Sequence, residues 1–291
     1  PFQTSSAMST TPSTASVSPS HVPRMRWHLE DIAYDHIDQS RIRDREDLFY
    51  MLASASFIET GSDTYTRNLV AHYAAYPEVA EWLQQHWEPE ELQHGRALRR
   101  YVEAVWPEFD WPAAYDSFFA EYSRLCTTEE LEGDRVLELA ARCVVETGTT
   151  TYYQTIHALT DEPVLADLVT RIRTDEVQHY KYFFRYFRSL QTQSHRSRLQ
   201  VGRVLWDRLQ EMRNSDSDVA LRHVWAHRPA RFDQGPDDFP RISGRIYSLV
   251  SHSLPLDQAA RMLLKPMALP PGVERMVERP LVWVSRRVLA A

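Results

Sequence analysis

The segment Asp175-Glu176-Val177-Gln178-His179 repeats Glu90-Glu91-Leu92-Gln93-His94, and an Arg-Tyr pair follows both at the same offset, Arg185-Tyr186 and Arg100-Tyr101. A second phrase is repeated ahead of each copy. Glu59-Thr60-Gly61-Ser62-Asp63-Thr64-Tyr65 precedes the first, and Glu146-Thr147-Gly148-Thr149-Thr150-Thr151-Tyr152 precedes the second. The offsets are 87 residues for the Glu-Thr-Gly phrase and 85 for the Glu-x-x-His phrase. Two related helical hairpins in tandem account for this pattern.

The flanking sequence supplies the helices. Arg43 to Ala75 contains no Pro and one Gly, with Leu48, Leu52, Ala55 and Ile58 at helical spacing, which predicts one long helix. Pro77 ends it and suits the first turn of a second helix running to about Val105. Pro89 lies inside that helix and must kink it or mark a locally wide turn. Residues 107–127 read as a crossover. A third helix is expected from about Glu130 to Leu159, a fourth from Pro163 to about Gln191 and a fifth over 196–214. Short helices near 218–227 and 257–268 complete the pattern.

Spacing then places carboxylates. A helix rises about 1.5 Å per residue. Glu59 lies 18 residues before the turn at Pro77 and Glu91 lies 14 after it; for Glu146, Pro163 and Glu176 the separations are 17 and 13. Each hairpin therefore levels its two carboxylates. Residues three apart share a helix face, so Glu91 points with His94 and Glu176 with His179. Face to face, the hairpins bring Glu59, Glu91, His94, Glu146, Glu176 and His179 together. That is too much charge to bury without a cation. Two carboxylates can bridge a pair of metals, and a carboxylate-imidazole donor set suits iron or manganese over thiolate-preferring ions. Of 12 His, only His94 and His179 have a Glu three residues earlier. Glu90 and Asp175 are placed to hydrogen-bond imidazole N–H groups from behind the ligands.

Composition agrees with a helical globular chain: 43% hydrophobic, 25% charged, 8 Gly in 291 residues. No apolar run reaches the roughly 18 residues of a membrane span, and two Cys cannot build a disulfide framework or a thiolate metal site. The net charge of −7 divides into −13 over residues 1–194 and +6 from 195 onward. No dense basic run favours nucleic acid. The first 20 residues hold 14 Ser, Thr or Pro and no charge, so a disordered leader over 1–22 is expected. The dimetal bundle should then occupy 23–195 and a basic helical extension 196–291. The cytoplasm is the expected location.

At its ligand motifs the chain resembles the ferritin-like diiron carboxylate superfamily, and more closely the soluble acyl-carrier-protein desaturases. Those embed the first motif in Glu-Glu-x-x-His-Gly followed by Leu and Tyr, as in Glu90 to Gly95 with Leu98 and Tyr101. Their second motif is Asp-Glu-x-x-His, as in Asp175 to His179. They also place a Thr three residues after the third-helix Glu, beside the oxygen pocket, which is Thr149 here. The resemblance covers roughly residues 43–190. It implies an all-α, ferritin-like four-helix bundle of two tandem hairpins with one crossover, plus C-terminal helices.

It also implies two iron ions, Fe/Fe or Mn/Fe, with O2 as co-substrate and an external electron donor. The expected function is an O2-dependent, desaturase-like oxidoreductase acting on a fatty-acyl or similar aliphatic substrate. Phe57, Phe118, Phe119, Val145, Tyr153, Phe183 and Phe187 are candidates to line its tunnel. Tyr65, Tyr101, Tyr152, Tyr186, Trp82 and Trp87 are candidates to relay electrons. Two other readings share the site: a diiron oxygenase that hydroxylates, N-oxygenates or cleaves a small metabolite, and an iron-storage or peroxide-scavenging protein. Expected partners are an electron-donor protein, a second copy in a homodimer, and an acyl carrier protein docked by Arg196, Arg198, Arg203 and Arg208. Leu281 to Val284 with Arg286 and Arg287 could instead meet a membrane peripherally.

Overall fold

A computed structural model describes residues 25–211, 216–232 and 238–289. The expected disordered leader, 1–22, lies outside them. The described elements are all helical: α1 (Gln39–Ile42), α2 (Glu46–Thr60), α3 (Ser62–His72), α4 (Pro77–Trp82), α5 (Glu88–Val105), α6 (Trp111–Leu125), α7 (Arg135–Leu159), α8 (Pro163–Gln193), α9 (Arg198–Glu211), α10 (Asp216–Ala226), α11 (Phe239–Ser253), α12 (Leu256–Leu264) and α13 (Pro271–Leu289). The core is an all-α four-helix bundle: α2–α3 with α4–α5 form one hairpin, α7 with α8 the other, and α6 lies in the crossover.

Local chemistry sets these boundaries. Asp134 opens α7 by accepting from Val136 N (2.9 Å) and Leu137 N (3.1 Å). Glu162 opens α8 by accepting from Val164 N and Leu165 N, and Pro163 takes the first helical position, where its missing N–H costs nothing. The Thr-rich run of α7 is a poor helix former by propensity. Thr147, Thr151 and Thr155 satisfy their hydroxyls on the carbonyls four residues earlier, so these three are buried at little cost.

Two expectations are revised and a third is narrowed. The first long helix is two helices, broken at Gly61, whose N–H is shared between the carbonyls of Phe57 and Ile58. At Pro89 the second expected outcome holds: the chain widens over Leu83–Trp87 into a π turn just ahead of the proline, with Glu88 N bonding to Leu83 O. The added residue in that turn absorbs the register that the proline cannot hold. The crossover contains a helix of its own, α6, capped by Asp110. The sequence also hid α11 and α13, because Pro240 and Pro271 read as breakers yet sit in first turns, and Pro280 is carried inside α13.

The core has two apolar clusters. One gathers Phe49, Leu52, Phe57, Leu98, Val102, Phe118, Leu168 and Ile172; the other gathers Val79, Leu83, Leu139, Cys143, Tyr180, Phe183 and Phe187. Along α8 the boundary falls between Ile172 and Tyr180, and along α7 between Val144 and Tyr153. The repeated polar motifs occupy both gaps. No helix among the described residues is long and apolar enough to cross a membrane.

Gly95 fixes how closely α5 approaches α2. A Cβ there would stand 2.6 Å from Thr60 N, 2.6 Å from Thr60 Oγ1 and 2.9 Å from Thr60 Cα. Two of these atoms are backbone, so α5 would have to move. Gly95→Ala is expected to destabilise the protein by about 1–3 kcal/mol and to reduce metal uptake, since His94 and Glu59 adjoin the contact. Thermal denaturation and metal analysis of the same samples check this.

Candidate metal centre

All six motif side chains converge. Glu59 comes from the last turn of α2, Glu91 and His94 from α5, Glu146 from α7, and Glu176 and His179 from α8. Each is no more than 6% exposed. Their donor atoms form two groups, Glu59, Glu91, His94 and Glu176, and Glu91, Glu146, Glu176 and His179, each with its atoms within 4.8 Å of one another. Glu91 and Glu176 belong to both. The site can therefore hold two metal ions, with two carboxylates shared and one Glu and one His at each end.

The imidazoles are oriented from behind. His94 Nε2 lies 3.2 Å from Asp175 Oδ2, and His179 Nε2 lies 2.8 Å from Glu90 Oε2. An ionised carboxylate only accepts, so both Nε2 atoms carry protons and both Nδ1 atoms turn toward the ligand carboxylates. His94 Nδ1 stands 3.1 Å from Glu176 and 3.9 Å from Glu59; His179 Nδ1 stands 3.0 Å from Glu91 and 3.7 Å from Glu146. Neither Nδ1 atom has a well-directed hydrogen bond, nor do Glu146 Oε2 and Glu176 Oε1, although all four are buried. Buried polar atoms aimed at one another without partners are costly, and a pair of cations would satisfy them.

Three further side chains reach the ligand layer in roles that the motifs do not reveal. Trp27 Nε1 donates to Asp175 Oδ2 at 2.6 Å, and its ring lies parallel to that of His94 at 6.1 Å. Arg26 donates to Asp175 Oδ1 at 2.8 Å and lies 3.5 Å from Glu90. Tyr153, expected as tunnel lining, hydrogen-bonds Glu59. Arg26 and Trp27 precede every helix of the bundle, so no periodicity could link them to it. Thr149 Oγ1 donates to Glu176 Oε2 at 2.8 Å, beside the shared carboxylate.

The other candidates are placed as follows. Phe57, Phe118, Phe183 and Phe187 are packed core side chains. Tyr101 donates to Glu162, the α8 cap, and Tyr152 to Met51 O. Tyr65 lies under the Arg142 guanidinium, and Trp82 and Trp87 both meet His179 edge-on at 6.4 Å. In the extension, Arg196 pairs with Asp134 and buried Arg208 with Glu138, whereas Arg203 pairs only with exposed Asp207. The side chains of Trp283, Val284, Arg286 and Arg287 lie outside the described residues.

Crowding sets the protonation. Burial, then the charge of Glu176, pushes Glu59 above the usual carboxylate range. Glu146 is pushed well above it by the same pair of causes, and Glu91 by burial followed by Glu176 and Glu59. Burial opposes charge on the imidazoles, but Asp175 and Glu176 around His94, and Glu176, Glu90 and Glu91 around His179, raise both well above an ordinary histidine. For Glu176 burial acts upward as well, but the close approach of the His179 and His94 imidazoles outweighs it and holds the carboxyl low.

The pH dependence follows. Above about pH 5 Glu176 is ionised in both folded and unfolded chains, so the groups with raised values decide the slope. They favour the metal-free fold while protonated, and that contribution is lost as pH rises through their folded values. A cation displaces the same protons, so metal affinity rises with pH. The gap in Tm between metal-loaded and metal-free protein should therefore widen from about pH 5.5 to about pH 8. A constant gap would contradict the assignment.

No protein-family model matches the chain, and no curated protein matches it in sequence. Among solved structures it is similar to R2-like ligand-binding oxidases. A variant with an aerobically reconstituted Mn/Fe cofactor is 16% identical, with 91% of each chain covered and a TM-score of 0.45. The oxidase with aerobically reconstituted Mn/Fe after a long soak is 13% identical, with 90% of this chain and 87% of that one covered and a TM-score of 0.45. A variant with an aerobically reconstituted Fe/Fe cofactor is 13% identical, with 90% and 88% covered and a TM-score of 0.44. The chemistry of the present site rests on its own geometry.

Proposed function

We propose that the protein is a non-haem dimetal oxidase that uses O2 to oxidise an aliphatic substrate, with Fe/Fe or Mn/Fe bound by Glu59, Glu91, His94, Glu146, Glu176 and His179. The observation that carries this is the pair of buried, outward-braced imidazoles whose free Nδ1 atoms share a site with four carboxylates. Oxygen and nitrogen donors without thiolate suit iron and manganese. When bound and reduced by an external electron donor, such a pair would supply the oxidising power for O2 chemistry.

The chain's own residues do the rest. Glu90 and Asp175 hold the imidazoles in one tautomer. The two apolar clusters exclude water from above and below the ligand layer. Thr149 holds a hydroxyl proton at Glu176 Oε2, where a proton can be delivered to or taken from the reacting centre. A desaturase-like outcome on an acyl chain is the reading the motifs favour.

The test is metal content of the purified protein, then exposure of the ferrous form to O2 with the visible spectrum recorded, then product analysis on acyl substrates. Roughly two metals per chain and a transient visible band support the proposal; no uptake after anaerobic reconstitution ends it. Thr149→Ala is expected to leave metal content unchanged and to lower coupled turnover by about 10-fold or more. Unchanged turnover would make Thr149 a helix residue that only bonds its own backbone.

A further inference from the structure

Outside the metal centre, α7, α8 and α12 border an open cleft of about 330 Å³ lined by Gln154, Arg173, Thr174, Val177, Gln178 and Gln258. Its one charged group is Arg173. That guanidinium is half-buried and makes no hydrogen bond or ion pair among the described residues. Its neighbours on α8 behave differently: Arg171 pairs with Asp167, and Arg185 and Arg188 lie over aromatic rings. Gln154 Oε1 is buried in the cleft wall without a donor. A half-buried cation with no anion, beside amides with unused capacity, has the donors to hold an anion.

The cleft adjoins the metal centre. Val177 and Gln178 stand between the ligands Glu176 and His179 on α8, and Gln154 is five residues, or about 7.5 Å of helix, beyond Thr149 on α7. On this side Val145, Gly148 and Thr149 are all partly exposed. By contrast Phe57 and Phe118 in one apolar cluster and Phe183 in the other are fully buried. The groove between α7 and α8 is thus the side from which Thr149, and through it Glu176, is reached.

We propose that this cleft binds the anionic head, carboxylate or phosphate, of an amphiphilic substrate, with Arg173 as the anchor, so that the aliphatic part is led along the α7–α8 groove toward Thr149. The anion site stands on the cleft and Arg173; that its occupant is a substrate rests on the function proposed above. Arg173 sets which molecules bind and does not touch the reacting atoms.

The experiment is equilibrium titration of the metal-loaded protein with sodium decanoate, decyl phosphate and decanol below their aggregation concentrations, with metal content measured on the same samples. At least one anion should bind about 10-fold more tightly than decanol. Arg173→Gln should abolish that preference without changing metal content, Arg173→Lys should keep part of it, and Arg171→Gln should keep all of it. Decanoate alone responding identifies a carboxylate head, and decyl phosphate alone a phosphate head. Equal binding of all three probes, or undiminished anion preference in Arg173→Gln, overturns the proposal. A protein that binds no metal yet shows Arg173-dependent anion binding would keep the cleft and lose the dimetal function. Full metal content without anion preference would do the reverse.

Discussion

Glu176→Ala is expected to abolish metal binding at both positions, lowering apparent affinity by more than about 100-fold. The reason is its place in the site. Glu176 belongs to both donor groups, approaches His94 Nδ1 at 3.1 Å and His179 Nδ1 at 3.7 Å, and accepts from Thr149. It is also the one ligand carboxyl held low rather than pushed up, so it presents a full negative charge to an incoming cation. Glu59→Ala removes a carboxylate from one group only and is expected to leave the Glu146–His179 end able to bind one metal. Elemental analysis after anaerobic reconstitution separates the two results. Far-ultraviolet circular dichroism should show the helices intact in both variants, because neither side chain caps a helix. Wild-type metal content in Glu176→Ala would remove the shared carboxylate from the site and with it the dimetal assignment.

The site's principal groups were legible in the sequence because they obey a geometry that helices impose. Equal counts of residues to a turn put Glu59 level with Glu91, and Glu146 level with Glu176, and three-residue spacing adds His94 and His179. Periodicity also supported α7 and α8; Pro163 marks the start of α8, whereas α7 begins at Arg135 behind its Asp134 cap and not at about Glu130. What stayed hidden does not follow from spacing. Arg26 and Trp27 reach Asp175 across 149 and 148 residues of chain, with no repeat to signal the contact. The interruption at Gly61 is a local adjustment that a pattern of apolar residues does not record, whereas the wide turn at Leu83–Trp87 is signalled by Pro89. The helices α11 and α13 were masked because a proline in a first turn and a proline that ends a helix look alike without their neighbours.

The hairpin repeat also shows where symmetry ends. Glu90 and Asp175 hold equivalent positions and brace the His of the opposite hairpin, His179 and His94 respectively. Each hairpin therefore orients the other's ligand, and neither could assemble its half of the site alone. Their surroundings differ. Asp175 is buried and accepts from Arg26, Trp27 and His94, whereas Glu90 is 15% exposed and is approached only by Arg26 and His179. The two ends of the centre are thus braced to different degrees, and the end at His94 depends on a segment that precedes the bundle.

That asymmetry sets the second large effect. Asp175→Ala is expected to weaken metal binding at the Glu59–His94 end by about 10–100-fold and to leave the His179 end nearly unchanged. Burial acts against the Asp175 charge, but hydrogen bonds from His94, Arg26 and Trp27 outweigh it and lower the carboxyl below its usual range. Removing it strands the Trp27 N–H and the His94 Nε2–H in a buried setting, at about 1–3 kcal/mol each, and frees the imidazole to rotate or change tautomer. Glu90→Ala provides the comparison: its position is more open, water can replace it, and the loss at His179 should be smaller. Stepwise titration with ferrous ion under anaerobic conditions resolves the two ends as one weakened and one retained binding step. Asp175→Asn should recover part of the loss, because its carbonyl oxygen can still accept from His94 while the negative charge facing Arg26 is gone. Equal weakening of both steps in Asp175→Ala would mean that the ends are not braced independently, and that Asp175 acts on the whole ligand layer through α8.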